Sequence, residues 1–407
     1  MIFNTLTKRY RSIFLFVGIC TFVLFSSGCS TGNNRSEHPF YIASFNLDDS
    51  TSIDVLVSLS PDGLVVHNGE ERVMLESRSE GLHNGFSDIY SVPVFNGAWV
   101  GHNVGSGWEG EWVDSLRTND YQVPLTIRPL EIAATKNSFE NEINTIWDTD
   151  LGKLKLKQKG DSIWGTFLTS TGDYRYQAGK INLSSGRFTL GNFDGIHLFL
   201  FEGTIRGDSI VDGVFKSGTH YSTNWGGVLS SENEVDWSSE QPWLEGSEII
   251  LRGINSNGNV VIWTPQDLIK SGHKLLVVDV MGTWCPNCMD EARLLKELSE
   301  DYPEMLVISM AFERSVGKEA VIRAAAFKKS LNLPWEVLVG GRANKSEADS
   351  ALKFMGGIKS FPTTAFIPVY GAPVIHTGFS GPATGSAYED EIAFFRSTIE
   401  RFIRESR

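Results

Sequence analysis

The chain has 407 residues and a net charge of −13 at neutral pH, and 41% of its residues are hydrophobic. This length is too great for one ordinary domain, while the apolar content suffices for packed cores, so we expect two or three domains. The excess of acid argues against nucleic acid as a partner, because phosphate binding requires clustered cations.

The first 30 residues are expected to be a targeting segment and not part of the fold. A basic stretch precedes the apolar run 13–25, which is too short to span a bilayer comfortably. The basic residues are Lys8, Arg9 and Arg11. Residues 1–28 carry these three cations and no acid, so their removal changes the net charge from −13 to −16.

The residues that follow the apolar run are Ser26-Ser27-Gly28-Cys29. This pattern resembles a bacterial lipoprotein signal, which implies cleavage before Cys29 and a lipid on its sulfur. The family prefers Leu three residues before the Cys, where this chain has Ser26. We predict a signal peptide at 1–28, a lipidated Cys29 with a tether at 29–39, and a location in the cell envelope facing the periplasm. Secretion with a free Cys29 and an uncleaved anchor are the alternatives.

The cysteine count favours redox exchange over structural cross-linking. The chain has four cysteines: Cys20 in the predicted signal, Cys29 at the predicted lipid site, and Cys285 and Cys288 in the mature body. A secreted chain stabilised by disulfides would carry more cysteines at longer spacings. A single dithiol in an envelope compartment is therefore expected to exchange disulfides.

Residues 40–230 have the sequence pattern of an all-β region. Short alternating segments separated by Gly, Asn and Asp predict an antiparallel barrel or sandwich, possibly divided at about 40–135 and 140–230. His197 and His220 are interpreted as hydrogen-bonded structural residues, with a ligand in a barrel mouth as the alternative. The many aromatic residues of this region are interpreted as ordinary barrel core.

A polar, acidic segment at 231–246 is predicted to be a linker, after which strands and helices alternate through 247–407. This alternation predicts an α/β layout with a sheet between helices. The predicted elements are a hairpin at 249–263, strands at 276–281, 305–312, 335–339, 361–368 and 374–379, and helices from 289, 318–330, 346–355 and 388–404.

The residues Leu276–Cys288 predict a buried strand followed by a redox turn. Gly282 ends the apolar run, and the apolar positions after Cys288 recur with a helix period. The first thiol, Cys285, is thus placed at a helix N-terminus, where unpaired N–H groups and the helix dipole stabilise a thiolate. Pro286 stands just inside the helix start, where it costs no hydrogen bond.

Two thiols at this spacing can form a disulfide with little backbone movement. We expect Cys285, the exposed and dipole-stabilised thiol, to attack, and Cys288 to resolve the mixed disulfide. Half of a zinc site has the same spacing, but zinc requires two further ligands and the mature body has no other cysteine. We therefore expect no metal and no cofactor other than the redox-active disulfide.

Two further positions are predicted to serve the dithiol. Asp279, within the apolar strand, is expected to be buried with a raised pKa and to exchange a proton with Cys288. Phe361-Pro362 begins a later strand, where a cis proline would form a tight turn. The backbone at Phe361 would then offer hydrogen bonds to an extended substrate segment.

Residues 247–407 resemble the thioredoxin superfamily, and within it the envelope TlpA/ResA branch of the Bacteroidota type. The residues that carry this resemblance are Val278-Asp279, Gly282-Thr-Trp-Cys-Pro-Asn-Cys, Phe361-Pro-Thr-Thr-Ala-Phe and the hairpin at 249–263. Residues 143–229 resemble the β region often found ahead of such domains, through Gly165-Thr-Phe-Leu-Thr-Ser-Thr-Gly-Asp-Tyr-Arg-Tyr, Phe193-Asp-Gly-Ile-His-Leu-Phe-Leu-Phe and Gly213-Val-Phe-Lys-Ser-Gly-Thr-His.

The resemblance implies roles for individual residues. Cys285 would be the nucleophile, Cys288 the resolving thiol, Trp284 a shield over the disulfide, and Pro362 the cis-proline. Glu313 would be a second proton-handling or substrate-facing acid. Substrate contacts would come from Trp284, Phe361 and Pro286, although Phe361 is bulkier than usual before the cis-proline and Asp279 stands where envelope relatives often carry Asn.

We therefore predict an envelope thiol–disulfide oxidoreductase that reduces protein disulfides. The resemblance implies disulfide-containing envelope proteins as partners and a membrane thiol donor upstream. One alternative is an envelope binding or assembly lipoprotein whose β region recognises a partner and whose thioredoxin-like domain is auxiliary. Another is haem-linked cytochrome maturation, as in some relatives of the resembled family.

Overall fold

The computed structural model describes residues 40–78, 86–92, 94–95, 97–114, 117, 121–130, 142–169, 172–231 and 240–405. The predicted signal peptide, Cys29 and the tether lie outside the described residues. So does most of the predicted linker, 232–239.

The first part of the chain is a closed antiparallel barrel of eight strands, in which β1 pairs with β8 to complete the ring. Alternate residues of β1 point inward, so that Tyr41, Ala43 and Phe45 are buried whereas Ile42 and Ser44 are partly exposed. The strands are β1 (Tyr41–Asp48), β2 (Thr51–Ser60), β3 (Gly63–Asn68), β4 (Glu71–Ser77), β5 (Ile89–Ser91), β6 (Ala98–Val104), β7 (Gly107–Val113) and β8 (Gln122–Pro129).

A second antiparallel barrel follows, and the pairing of β10 with β11 closes its eight main strands into a ring. Its core contains stacked aromatic side chains, including Phe167, Phe201 and Phe215. The strands are β9 (Ile143–Thr149), β10 (Gly152–Lys159), β11 (Ser162–Thr169), β12 (Gly172–Asp173, a short addition to β11), β13 (Gln177–Ile181), β14 (Arg187–Phe193), β15 (Leu198–Arg206), β16 (Ser209–Ser217) and β17 (Tyr221–Leu229).

Phe193 joins the two barrels. It stands at the end of β14, and its ring stacks on Phe45 at 5.4 Å and contacts the rings of Trp99 and Trp112 in the first barrel. The side-chain amide of Asn68 bonds both the N–H and the carbonyl of Phe193. One aromatic side chain of the second barrel thus completes the core of the first.

The C-terminal part is a mixed sheet with strand order β18-β25-β24-β21-β22-β23-β19-β20. Strands β21, β22 and β23 run parallel, and β24 and β25 add in antiparallel fashion. The strands are β18 (Glu240–Gln241), β19 (Leu251–Ile254), β20 (Val260–Trp263), β21 (Leu275–Met281), β22 (Met305–Glu313), β23 (Glu336–Arg342), β24 (Thr363–Pro368) and β25 (Val374–Thr377).

The described residues contain five α-helices, all in the C-terminal part. They are α1 (Pro265–Ser271), α2 (Pro286–Asp301), α3 (Lys318–Leu331), α4 (Lys345–Ala351) and α5 (Ser386–Glu405). Among them, none combines the length and the apolar character of a membrane span. The described residues are therefore mostly β, and strands and helices alternate only in the C-terminal part, at 251–405.

Two local features differ from the sequence-based expectation. Residues 240–241, within the predicted linker, form the edge strand β18 against β25, because Gln241 is anchored by bonds from its amide to the carbonyls of Met355 and Gly357. Helix α1 was not predicted; it begins after Thr264, whose side chain and backbone form a capping box with Asp267.

Candidate functional site

The two thiols lie at the junction between a buried strand and the helix that follows it. Cys285 is the N-cap residue of α2, and its Sγ accepts a hydrogen bond of 3.2 Å from the N–H of Cys288. The two residues form a disulfide, with Cα atoms 5.2 Å apart. Cys285 is 5% exposed and Cys288 is fully buried, so an incoming molecule can reach only the first sulfur.

Trp284 covers one side of the dithiol. Its indole N–H donates to the carbonyl of Phe312 at 2.9 Å, and its ring meets that of Phe361 edge-on at 5.6 Å. The guanidinium of Arg314 lies 4.7 Å from the centre of the Trp284 ring. A Cβ at Gly282 would lie 2.4 Å from the indole nitrogen, so only glycine fits beside this ring.

The segment before β24 covers the other side. The bond between Phe361 and Pro362 is cis, and the carbonyl oxygen of Phe361 lies 3.5 Å from Sγ of Cys285. Pro286, the first residue of α2, is buried beneath the same surface. The structure thus brings Phe361 of one sequence motif against Trp284 and Cys285 of the other.

Asp279 occupies the middle of a polar row that crosses the sheet. Its register partners are Ser309 in β22 and Thr364 in β24, and Thr364 in turn pairs with His376 in β25. Directly paired residues project from the same face of a sheet. These four residues, which we call the polar row, therefore lie side by side on one face.

The position of Asp279 agrees with the buried environment expected for it. The side chain is fully buried, and Oδ2 accepts from the Ser309 hydroxyl at 2.8 Å, while Oδ1 has no partner among the described residues. Burial raises the pKa of Asp279 to about 7, against the opposing effect of the Ser309 bond. The carboxyl can therefore gain or lose a proton near neutral pH.

Glu291 is a second buried acid, which the sequence reasoning missed. It is fully buried on α2 and accepts a hydrogen bond from the hydroxyl of Thr364. Burial, together with the nearby charge of Asp279, raises the pKa of Glu291 well above its ordinary value. The sequence did indicate this position, because Glu291 follows Cys288 by three residues and so lies on the same face of the helix.

The polar row continues to a buried pair of hydrogen-bonding side chains on its far side. His376 Nε2 lies 2.8 Å from a carboxylate oxygen of Glu391 in α5, and both side chains are almost wholly buried. The other oxygen of Glu391 accepts from the N–H of Ser380 at 2.8 Å. Glu391 also contributes to the raised pKa of Glu291. A chain of titratable groups thus extends from beneath the dithiol toward α5.

Glu313 does not join this chain. Its two carboxylate oxygens accept from the N–H and the hydroxyl of Thr283, at 3.0 and 2.7 Å. Burial raises the pKa of Glu313, although the bonds from Thr283 oppose this. These bonds hold the loop that carries Trp284 and Cys285, and the proton-handling or substrate-facing role implied by the resemblance stays a prediction.

Arg175 was also not singled out from the sequence. It comes from the second barrel and forms ion pairs with Glu71 of the first barrel and with Asp290 of α2, and all three side chains are at least nine-tenths buried. Asp290 stands two residues after Cys288 and also pairs with Arg293 at 3.2 Å. This arrangement ties both barrels to the helix that carries the dithiol.

The two histidines of the β region have hydrogen-bonded partners. Nδ1 of His197 lies 3.0 Å from Asp194, and His220 accepts from the guanidinium of Arg117 at 3.3 Å. Within the described part of the chain, no group of three or more His, Cys, Asp and Glu side chains is arranged to hold a metal ion.

Neither the protein-family models nor the curated proteins include a match to this chain. Solved structures similar to part of it include a secreted Mycobacterium tuberculosis disulfide oxidoreductase homologous to E. coli DsbE, at 17% identity over 37% of this chain and 95% of that one, with a TM-score of 0.27. A thioredoxin-like protein from Aeropyrum pernix is 16% identical over 37% of this chain and 89% of that one, with a TM-score of 0.28.

The thioredoxin domain of a Bacteroides vulgatus thiol-disulfide oxidoreductase is 17% identical over 37% of this chain and 96% of its own length, with a TM-score of 0.26. These similarities cover little more than a third of the chain. The chemistry assigned to the site rests on its own residues.

Proposed function

We propose that the protein is a thiol–disulfide oxidoreductase of the thioredoxin type that reduces disulfides in envelope proteins. One observation carries this proposal: a disulfide at the N-terminus of α2 stands beside two buried acids, Asp279 and Glu291, that have no cation paired with them among the described residues. A disulfide with a purely structural role has no use for two buried acids with raised pKa values.

In the reduced protein, the thiolate of Cys285 is stabilised by the N–H of Cys288 and by the N-terminus of α2. It attacks one sulfur of the substrate disulfide and forms a mixed disulfide, and the other substrate sulfur leaves as a thiolate that takes a proton from water. The thiol of Cys288 then loses its proton and attacks Cys285, which releases the second substrate thiolate and leaves the enzyme disulfide. Two electrons have passed to the substrate.

The acids beneath the dithiol supply a place for the proton of Cys288. Thr364 is the register partner of Asp279 and donates to Glu291, so both acids lie at the same residue of β24. The pKa of Asp279, raised to about 7 by burial, suits a group that accepts a proton near neutral pH and gives it back in the next cycle, and burial raises the pKa of Glu291 as well. The proton moves directly or through water.

The surroundings of the dithiol suit a polypeptide substrate. Trp284 and Phe361 flank the reachable sulfur of Cys285, and Pro286 lies beneath it. Glu313 acts through Thr283 as a positioning residue for this loop. The lipoprotein-like sequence ending in Cys29 supports an envelope location with a lipid anchor, and regeneration of the dithiol requires a membrane thiol donor.

The proposal is tested by Cys285→Ser in the full chain, with reduction of a fluorogenic disulfide peptide as the readout. We expect the rate to fall by about a thousandfold or more, because the attacking thiolate is lost. Arg206→Gln is the control, since it changes an exposed side chain that pairs with Asp212 on the second barrel and lies outside the dithiol. Cys288→Ser should trap a mixed disulfide that is visible by mass spectrometry.

Retention of exchange by Cys285→Ser would refute the assignment and favour the alternative of a binding or assembly protein. The direction of exchange is tested by the reduction potential of the pair. A reduction potential of about −270 mV indicates a reductant, whereas one of about −120 mV indicates an oxidant.

A further inference from the structure

A cleft of about 660 Å³ opens between the two barrels and the loop that follows β22. The first barrel contributes Arg117 and Tyr121 to its lining, the second contributes aromatic residues and two histidines, and the C-terminal part contributes Arg314. Its volume falls in the range of sites that hold a bound molecule or a few residues of a peptide.

The cleft reaches the dithiol through two side chains. Arg314 lines the cleft, and its guanidinium stacks 4.7 Å from the centre of the Trp284 ring. Trp284 immediately precedes Cys285 in the chain. A polypeptide whose disulfide contacts Cys285 therefore lies next to the cleft, with only the side chain of Trp284 between Cys285 and Arg314.

The charge of the cleft favours an acidic occupant. No carboxylate of the described residues lies within ion-pair distance of Arg314, whose guanidinium is partly buried. Arg117, at the same cleft, is held by the buried carboxylate of Asp114 at 3.3 Å. The carboxylates of Asp114 and Glu313 act on Arg314 only from beyond ion-pair distance, and Arg117 adds a second guanidinium to the cleft, so a carboxylate can bind there.

The cleft also offers an aromatic wall and a polar group without a partner. Phe199, Phe215 and Tyr221 are arranged with ring centroids 5.6 and 6.0 Å apart, and Tyr221 is 53% exposed. Tyr121 is only 8% exposed, and its hydroxyl has no hydrogen-bond partner among the described residues. A buried hydroxyl of this kind is costly unless water or a ligand meets it.

We propose that this cleft binds a segment of the client polypeptide that carries an acidic and an aromatic side chain next to its disulfide. The carboxylate binds Arg314, and the aromatic ring lies on the wall that ends at Tyr221. The barrels thereby select the clients of the dithiol. This inference rests on the proposed function for its account of the client, but the binding itself requires no redox step.

Binding is tested first, with a fluorescent peptide that contains a Glu-Phe pair next to two serines in place of the cysteines. Its anisotropy with the full chain should give a Kd that increases about fivefold in Arg314→Gln, as expected for a partly exposed ion pair. Arg206→Gln, which removes an exposed cation paired with Asp212 on the second barrel, is the matched control. Tyr221→Ala should weaken binding independently of charge.

The exchange reaction is tested next, with two disulfide peptides that differ only in Glu-Phe against Gln-Phe. The wild-type chain should favour the acidic peptide in kcat/KM, and Arg314→Gln should lose this preference while Arg206→Gln keeps it. Equal rates for both peptides in the wild type would overturn the inference and leave the proposed function standing. Binding of the serine peptide without any exchange would overturn the proposed function alone.

Three other results count against a client segment in the cleft. They are equal binding of the Gln-Phe peptide, an equal loss in Arg206→Gln and Arg314→Gln, and binding of a free aromatic carboxylate as tight as that of the peptide. The last result would assign the cleft to a small ligand. Unfolding curves of each variant establish that the fold is retained.

Discussion

The two faces of the C-terminal sheet are built from the same strands and are both lined by buried apolar residues, but only one of them also carries the polar row. On one face, Val278 and its neighbours Ile308 and Ala365 belong to a wholly apolar buried cluster. On the other, Asp279 and its partner Thr364 belong to the polar row beside α2. Successive residues of a strand project to opposite faces, so moving a residue by one position along the strand transfers it from the apolar cluster to the polar row.

This comparison shows how a buried acid can be accommodated. Asp279 and Glu291 are held without a cation by hydroxyl donors and by raised pKa values, which allow them to stay neutral. Asp290, next to Glu291, keeps its charge between Arg175 and Arg293. Three acids within the same region therefore have different functions, because each meets a different set of neighbours.

The largest expected effect comes from moving the acid by one residue. Val278→Asp places a carboxyl on the apolar face, where no donor meets it, and should lower the free energy of unfolding by at least about 4 kcal/mol. Urea unfolding followed by circular dichroism measures this, with Val278→Ala as the control that makes only a small cavity and costs about 2 kcal/mol. A loss no greater than that of the alanine variant would show that the two faces are not distinct.

A smaller loss of stability is expected when Asp290 loses the guanidinium of Arg175. Arg175→Met leaves Asp290 and Glu71 buried without the guanidinium between them, and should lower the free energy of unfolding by about 3 kcal/mol. The control is Arg187→Met, whose exposed pair with Glu202 should be worth less than about 1 kcal/mol. Similar losses in both variants would contradict a special role for the buried triplet.

The smallest expected change in stability comes from Asp279, and it depends on pH. Because burial raises the pKa of Asp279 in the folded state, that state binds more protons than the unfolded chain between the two pKa values. The contribution of Asp279 to the free energy of unfolding is fully present below the pKa that this group has in the unfolded chain. It is lost as the pH rises through the pKa that the group has in the folded state. Asp279→Asn cannot titrate, so its stability relative to the wild type should rise by about 2 kcal/mol between about pH 5 and about pH 7.

Urea unfolding of the oxidised proteins at several pH values measures this difference. The control is Asp267→Asn, a partly exposed acid at the start of α1, whose difference from the wild type should vary little over the same range. A difference between Asp279→Asn and the wild type that does not change with pH would show that Asp279 is ionised throughout.

Much of the site was accessible from local sequence. The apolar run before Cys285, the helix period after Cys288 and the Pro at position 362 predicted the strand, the helix and the cis bond. Glu291 was within reach of the same reasoning, since the helix period places it on the face of Cys288. The bonds from Thr283 to Glu313 were not accessible in this way, because only the folded loop shows which donors its carboxylate meets.

The sequence by itself determined what depends on near neighbours in the chain: the β texture of 40–230, the strand-to-helix turn at the dithiol, and burial of Asp279 among apolar residues. Only the tertiary structure decided what depends on distant segments. Strand register placed Thr364 opposite Asp279, and barrel closure brought Arg175 to α2 and Arg117 to the cleft with Arg314. Such pairings follow from packing over long separations, and the local pattern carries no signal for them.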